Sequence, residues 1–176
     1  RCQLGGGIDN RGRSGNTMGA VPAEERSPKG RSGRLTHAAK EPVHLIESLD
    51  DLELLAHRLA GAPSVAVDLE SDSFYTYYPK VCLIQLTADG EDYIVDPLAV
   101  KDLSPLGPLF RDAAVEKIFH AAEYDLQLLQ RDYGFRVANL FDTMAAARLL
   151  GARALGLAAL IEARFGVKLS KKLQRA

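Results

Sequence analysis

Six residues, Val65-Ala66-Val67-Asp68-Leu69-Glu70, constrain the fold more than any other stretch of the chain. Side chains along a strand point alternately to opposite faces. Val65, Val67 and Leu69 therefore share one face, and Asp68 and Glu70 share the other. A face of valine and leucine has to be covered by another layer, so the stretch calls for a sheet with something apolar packed on it. The other face carries two carboxylates two positions apart. Like charges at that spacing repel each other and call for a cation, and hard carboxylate oxygens suit Mg²⁺ or Mn²⁺. The plainer alternative is a strand end with one solvent-facing polar side.

The remaining periodicities supply the covering layers. Residues 43–47 alternate like a short strand. Ser48 is a good N-cap, Asp50 and Asp51 favour a first helical turn, and Leu52, Leu55 and Leu59 recur at helical spacing up to Gly61. Strands are expected over 64–70, 81–87 and 92–96, the last two joined by an Asp89-Gly90 hairpin turn. A short helix is expected over 105–111, a strand over 116–120 and a helix over 122–133 that stops at Gly134. Asp142 is expected to cap a helix running to Leu150, and a last helix over 157–165 to end at Gly166. This order of strands and helices predicts an α/β fold, a mixed sheet with helices packed on it.

Composition narrows the function classes. Residues 1–40 hold eight Lys/Arg against three Asp/Glu, and residues 41–176 hold 14 against 20. The first segment, with eight of the 15 glycines, reads as a disordered basic tail. The rest is acidic, which argues against a broad electrostatic grip on nucleic acid but not against carboxylates that hold metal. No apolar run reaches 18 residues, so no membrane-spanning helix is expected. No signal peptide is expected either. Two cysteines exclude a disulfide scaffold, and a reducing, cytoplasmic setting fits best. A chain opening on Arg1 reads as a fragment or an open translation, with Met18 a possible start.

Two further segments carry chemistry. In Phe119-His120-Ala121-Ala122-Glu123-Tyr124-Asp125 a strand gives way to a helix, and a carboxylate near a helix start gains from the dipole. His120 would contact substrate or be a hydrogen-bonded structural residue; Asp125 alone would be an ordinary first-turn Asp. The aromatics Tyr75, Tyr77 and Tyr78 precede the strand over 81–87, where they could stack on bases or serve as packing. No Ser-His-Asp or Cys-His arrangement and no glycine-rich phosphate loop after a strand is present.

Together the segments Asp68-Leu69-Glu70, Tyr77-Tyr78-Pro79 with Cys82-Leu83-Ile84-Gln85, and Phe119-His120 with Asp125 resemble the DEDD 3′–5′ exonucleases, ribonuclease D and its relatives above all. Phe141-Asp142-Thr143 and the pattern Gly166, Val167, Leu169, Lys171, Gln174 fit the same family. The resemblance runs from about Val43 to Gln174. It implies a ribonuclease H-like mixed sheet flanked by helices over residues 41–176, and two divalent ions, Mg²⁺ or Mn²⁺. It also implies hydrolysis of phosphodiester bonds from a 3′ end, with RNA preferred over DNA and processing of the transfer-RNA-precursor type. Asp68, Glu70 and Asp125 match the family's catalytic, metal-holding carboxylates. Tyr77, His120 and Tyr124 are the expected substrate contacts.

The family's third motif, a Tyr or His followed by a fourth Asp, does not occur before Ala176. The C-terminal part of the domain is therefore expected to be missing, with apolar surface exposed where it would lie and two-metal catalysis by the fragment weakened or lost. A nucleic-acid binding module without catalysis is the alternative, and an α/β domain with accidental carboxylates the third reading. No protein partner and no membrane association is inferable from the sequence.

Overall fold

The computed structural model describes residues 43–72 and 77–169. The expectations for the tail over 1–40, for Tyr75 and for Lys171 and Gln174 lie outside the described residues. Those described form β1 (Val43–Ile46), α1 (Leu49–Leu59), β2 (Ser64–Ser71), β3 (Val81–Ala88) and β4 (Glu91–Val95). There follow a 3₁₀ turn (Ser104–Leu106), α2 (Gly107–Arg111), β5 (Glu116–Phe119), α3 (Glu123–Tyr133), β6 (Leu140–Asp142), α4 (Thr143–Leu149) and α5 (Leu157–Phe165). No helix among them is long and apolar enough to cross a membrane.

The strands make one mixed sheet in the order β1-β4-β3-β2-β5-β6. β3 pairs antiparallel with both β2 and β4, while β1–β4, β2–β5 and β5–β6 run parallel. The β3–β4 turn follows from its residues: Asp89 and Gly90 both take positive φ (52° and 81°), the backbone that matches a tight hairpin to strand twist. Burial along β2 alternates as its sequence demands. Val65, Val67 and Leu69 are buried and Asp68 and Glu70 are not.

The core gathers the buried side of β2 with Ile84 and Leu86 of β3, the α1 row Leu52, Leu55 and Leu59, Phe110 of α2, and Leu128 and Leu129 of α3. Ser48 caps α1 by accepting from the Asp51 N–H at 3.2 Å. α3 ends where Gly134 takes a left-handed φ of 68°, which an L-residue adopts only at a cost.

Three details differ from the expectation. β5 stops at Phe119, so His120 stands in the turn after it. The stretch expected as one short helix divides into a 3₁₀ turn and α2, because Pro105 and Pro108 each remove a helical N–H donor. β6 was not expected: three exposed-to-half-buried residues at a sheet edge carry no alternation long enough to mark a strand. Beyond it α5 buries no residue, and Leu149, Leu150 and Phe165 stand exposed, in line with the expected apolar surface.

Candidate active site

The sheet's register sets where the carboxylates stand, with Asp68 in the cleft lining and Glu70 and Asp125 outside it. Asp68 lies opposite Gln85 and Glu70 opposite Leu83 in the β2–β3 pair, with the register shifting just beyond Glu70. On the other side β2 runs parallel to β5, with Ala66 beside Ile118. Two residues further on, that register sets His120 alongside Asp68. Both strands thus deliver their polar residues at their carboxyl ends, where parallel strands place ligand sites. α3 starts three residues after His120, so Asp125 falls in its first turn. Asp68, Gln85, Thr87, His120 and Thr143 line one cleft of about 270 Å³.

The turn between β5 and α3 is tightly specified. Ala121 takes φ 61°, rare for a residue with a Cβ, so its surroundings must hold it there. The Asp142 carboxylate supplies the hold, accepting from Ala121 N at 3.1 Å and Ala122 N at 3.0 Å. The same carboxylate caps α4, accepting from Met144 N at 2.8 Å and Ala145 N at 3.2 Å. Burial works upward on its proton affinity, but these backbone donors keep the Asp142 carboxyl below the ordinary carboxylate range. The expectation of a capping role describes half of what Asp142 does.

Electrostatics couple the three carboxylates. Burial, then the negative charges of Asp68 and Glu70, push Asp125 from 3.8 up to about 6. Loss of solvent raises Asp68 as well, opposed by the Leu69 N–H and by positive charge on His120. Desolvation leads at both residues, and at Asp125 the neighbouring negative charges add to it. The donor set, three carboxylates and no thiolate, fits a hard divalent cation in kind. As placed the side chains stand apart: among the described residues no three of His, Cys, Asp and Glu form a group able to hold an ion.

The aromatic candidates divide. Tyr77 is 90% exposed and packs edge-on against Tyr78, with ring centroids 5.0 Å apart. Tyr124, 46% exposed, borders a separate groove with Glu123, Gln127, Met144 and Arg148. Neither lines the cleft at Asp68. Two residues not expected as site residues do line it, Gln85 on β3 and Thr143 at the start of α4, and both stand inside motifs that carry the family resemblance.

Known proteins share this fold. The sequence profile of the 3′–5′ exonuclease family matches residues 43–176. Exosome complex component 10 of Mus musculus is 40% identical over 136 residues, which are 77% of this chain and 15% of that protein. The catalytic core of RRP6 from Trypanosoma brucei superposes with a TM-score of 0.73 at 37% identity, covering 78% of this chain and 38% of that one. Escherichia coli RNase D superposes with a TM-score of 0.71 at 33% identity, over 77% of this chain and 36% of its own. The chain thus spans a minor part of the length of these relatives. Its mixed sheet with flanking helices is their ribonuclease H-like fold. With profile, sequence identity and superposition in agreement, the chain belongs to the 3′–5′ exonuclease family, as a relative of RRP6 and ribonuclease D.

Proposed function

We propose that this domain hydrolyses phosphodiester bonds at the 3′ end of RNA, with two divalent cations, Mg²⁺ or Mn²⁺, held by Asp68, Glu70 and Asp125. The observation that carries the reading is the charge coupling of Asp125 to Asp68 and Glu70 at the carboxyl ends of β2 and β5. Structural repulsion of this kind is relieved by a bound cation. When bound, such cations lower the pKa of a water and neutralise charge that grows on the phosphate. The chain's own part is to present carboxylate oxygens from one strand face and one helix start. Asp125, raised to about 6, is largely ionised at neutral pH and would offer its carboxylate to such a cation. The exposed rings of Tyr77 and Tyr124 offer faces on which unpaired bases stack, and His120 borders the cleft as a substrate contact.

RNA is favoured over DNA because the E. coli relative is described as an exoribonuclease involved in structured RNA processing. Structured RNA of the transfer-RNA-precursor type is the corresponding substrate class. The mouse relative is named as a component of a complex, so the expectation that no protein partner can be inferred draws no support. Assembly with protein partners is the matching proposal for the parent protein.

The test is a 5′-labelled RNA with a free 3′ end, incubated with Mg²⁺ or Mn²⁺. Stepwise shortening from the 3′ end is expected. Asp68→Asn should slow it by on the order of 10²–10³, the scale of losing one electrostatic stabiliser of the transition state. RNA that is retained but never shortened, with retention indifferent to Asp68→Asn, would instead establish the binding module.

A further inference from the structure

Two adjacent residues, Asp142 and Thr143, are wired to four consecutive residues of the β5–α3 turn. Thr143 Oγ1 lies 3.0 Å from the Phe119 carbonyl oxygen and 2.9 Å from His120 Nδ1. Asp142 accepts from Ala121 N and Ala122 N. A threonine hydroxyl has one proton. Given to the Phe119 carbonyl, it leaves Oγ1 only lone pairs for His120, so Nδ1 must carry the hydrogen. The ring is thereby oriented with its Nδ1–H on Thr143 and its other edge free of that bond, and His120 lines the cleft with Asp68.

We propose that Asp142 and Thr143 are positioning residues of the active site. They hold the β5–α3 turn so that Asp125 keeps its place at the start of α3 and His120 keeps its ring orientation, Nδ1–H to Thr143, at the cleft. This rests on the exonuclease reading above. Asp142 and Thr143 each act through the turn, as outer partners orient metal-bound and catalytic groups elsewhere.

The two functions of Asp142 can be separated. Its Oδ1 receives Ala121 N, Met144 N and Ala145 N, while Oδ2 receives Ala122 N. Asp142→Asn keeps the three bonds to Oδ1, including the α4 cap, and puts an N–H₂ against the Ala122 N–H. A residue that merely caps α4 would tolerate the change.

The experiment uses the full 176-residue chain. Imidazole ¹⁵N shifts, assigned with His120→Gln, report the tautomer, and RNA shortening is followed on the same samples. Expected are an Nδ1–H His120 in the wild type and in Thr143→Ser, and an Nε2–H or mixed ring in Thr143→Val. In Thr143→Val and Asp142→Asn kcat should fall about tenfold, with KM moving less than about twofold. Thr143→Ala, which removes the hydroxyl with less bulk, serves if Thr143→Val does not fold. An Nε2–H wild type, or a folded hydroxyl-free variant with unchanged tautomer and kcat, overturns the proposal. A wild type with the expected tautomer that shortens no RNA defeats the exonuclease reading instead, and the tautomer series still decides the wiring.

Discussion

Asp125, in the first turn of α3, lies within range of the charge on Asp68 at the end of β2, and this proximity is built into the fold. Burial together with the charges of Asp68 and Glu70 raises Asp125 to about 6. In the unfolded chain the same carboxyl titrates near its ordinary 3.8. Between those values the folded state holds a proton that the unfolded state has lost. Stability from this residue is therefore complete below 3.8, falls as pH rises through the window, and is lost above about 6. Two pH units correspond to at most about 3 kcal/mol. In chelator, Asp125→Asn should be more stable than the wild type at pH 7 and equal to it at pH 3.5. Thermal melts across that range check it, and parallel curves for the two proteins would refute the coupling.

A divalent cation should reverse that penalty. A ligand that binds only the folded state stabilises it by about 2.7 kcal/mol at a concentration 100 times its Kd. Mn²⁺ is expected to raise the wild-type melting temperature at pH 7 and to leave Asp68→Asn and Asp125→Asn nearly unmoved. A shift of equal size in all three proteins would place the cation elsewhere.

Lys117 is the buried charged residue among those described, in the middle of β5. Its Nζ donates to the carbonyls of Asp112 and of Val115, the latter at 2.7 Å, which ties down the turn leading into the strand. Burial lowers its proton affinity, partly offset by the nearby Asp112 charge. Lys117→Met preserves the apolar stem and abandons both carbonyls. A loss of about 1–3 kcal/mol is expected, the cost of leaving buried polar groups unpaired. A lower urea midpoint with an unchanged slope would report it.

How far the sequence discloses all this varies with the physics of each element. Wherever burial imposes a period, the reading is direct: the alternation in β2, the leucine row of α1 and the Gly134 stop of α3 all stand where periodicity and capping put them. Asp68, Glu70 and Asp125 were legible through their order and their family resemblance. Their coupling was not, because it depends on the β2–β5 register, which pairs residues about 50 positions apart. β6 was hidden because a three-residue edge strand buries too little to leave a pattern. The double duty of Asp142 was hidden for a related reason. An N-cap is a local signal, whereas its bonds to Ala121 and Ala122 span 21 and 20 positions. Lys117 shows the converse, a charged residue that breaks the expected apolar character of a central strand and is buried on its aliphatic stem.

Arg131 links α3 to the exposed tyrosines. Its guanidinium donates to the Pro79 carbonyl, next to Tyr77 and Tyr78, and to Asp132, with Nε 2.6 Å from Oδ1. Paired Asp72 and Lys80 close the base of the same connection: Lys80 N donates to Asp72 Oδ1 at 2.6 Å, and Asp72 N to the Lys80 carbonyl at 3.2 Å. Arg131 therefore fixes where the tyrosine rings stand relative to α3 and Asp125, without lining the cleft itself. Arg131→Ala leaves the carboxylates untouched and frees one side of the connection. KM for RNA should rise severalfold while kcat stays within about twofold, since the loss falls on binding shared by ground and transition states. Chymotryptic cleavage after Tyr77 should also quicken, because release of the Pro79 carbonyl lowers the local cost of opening. A fall in kcat with KM unchanged would show instead that the link acts on the carboxylates through α3.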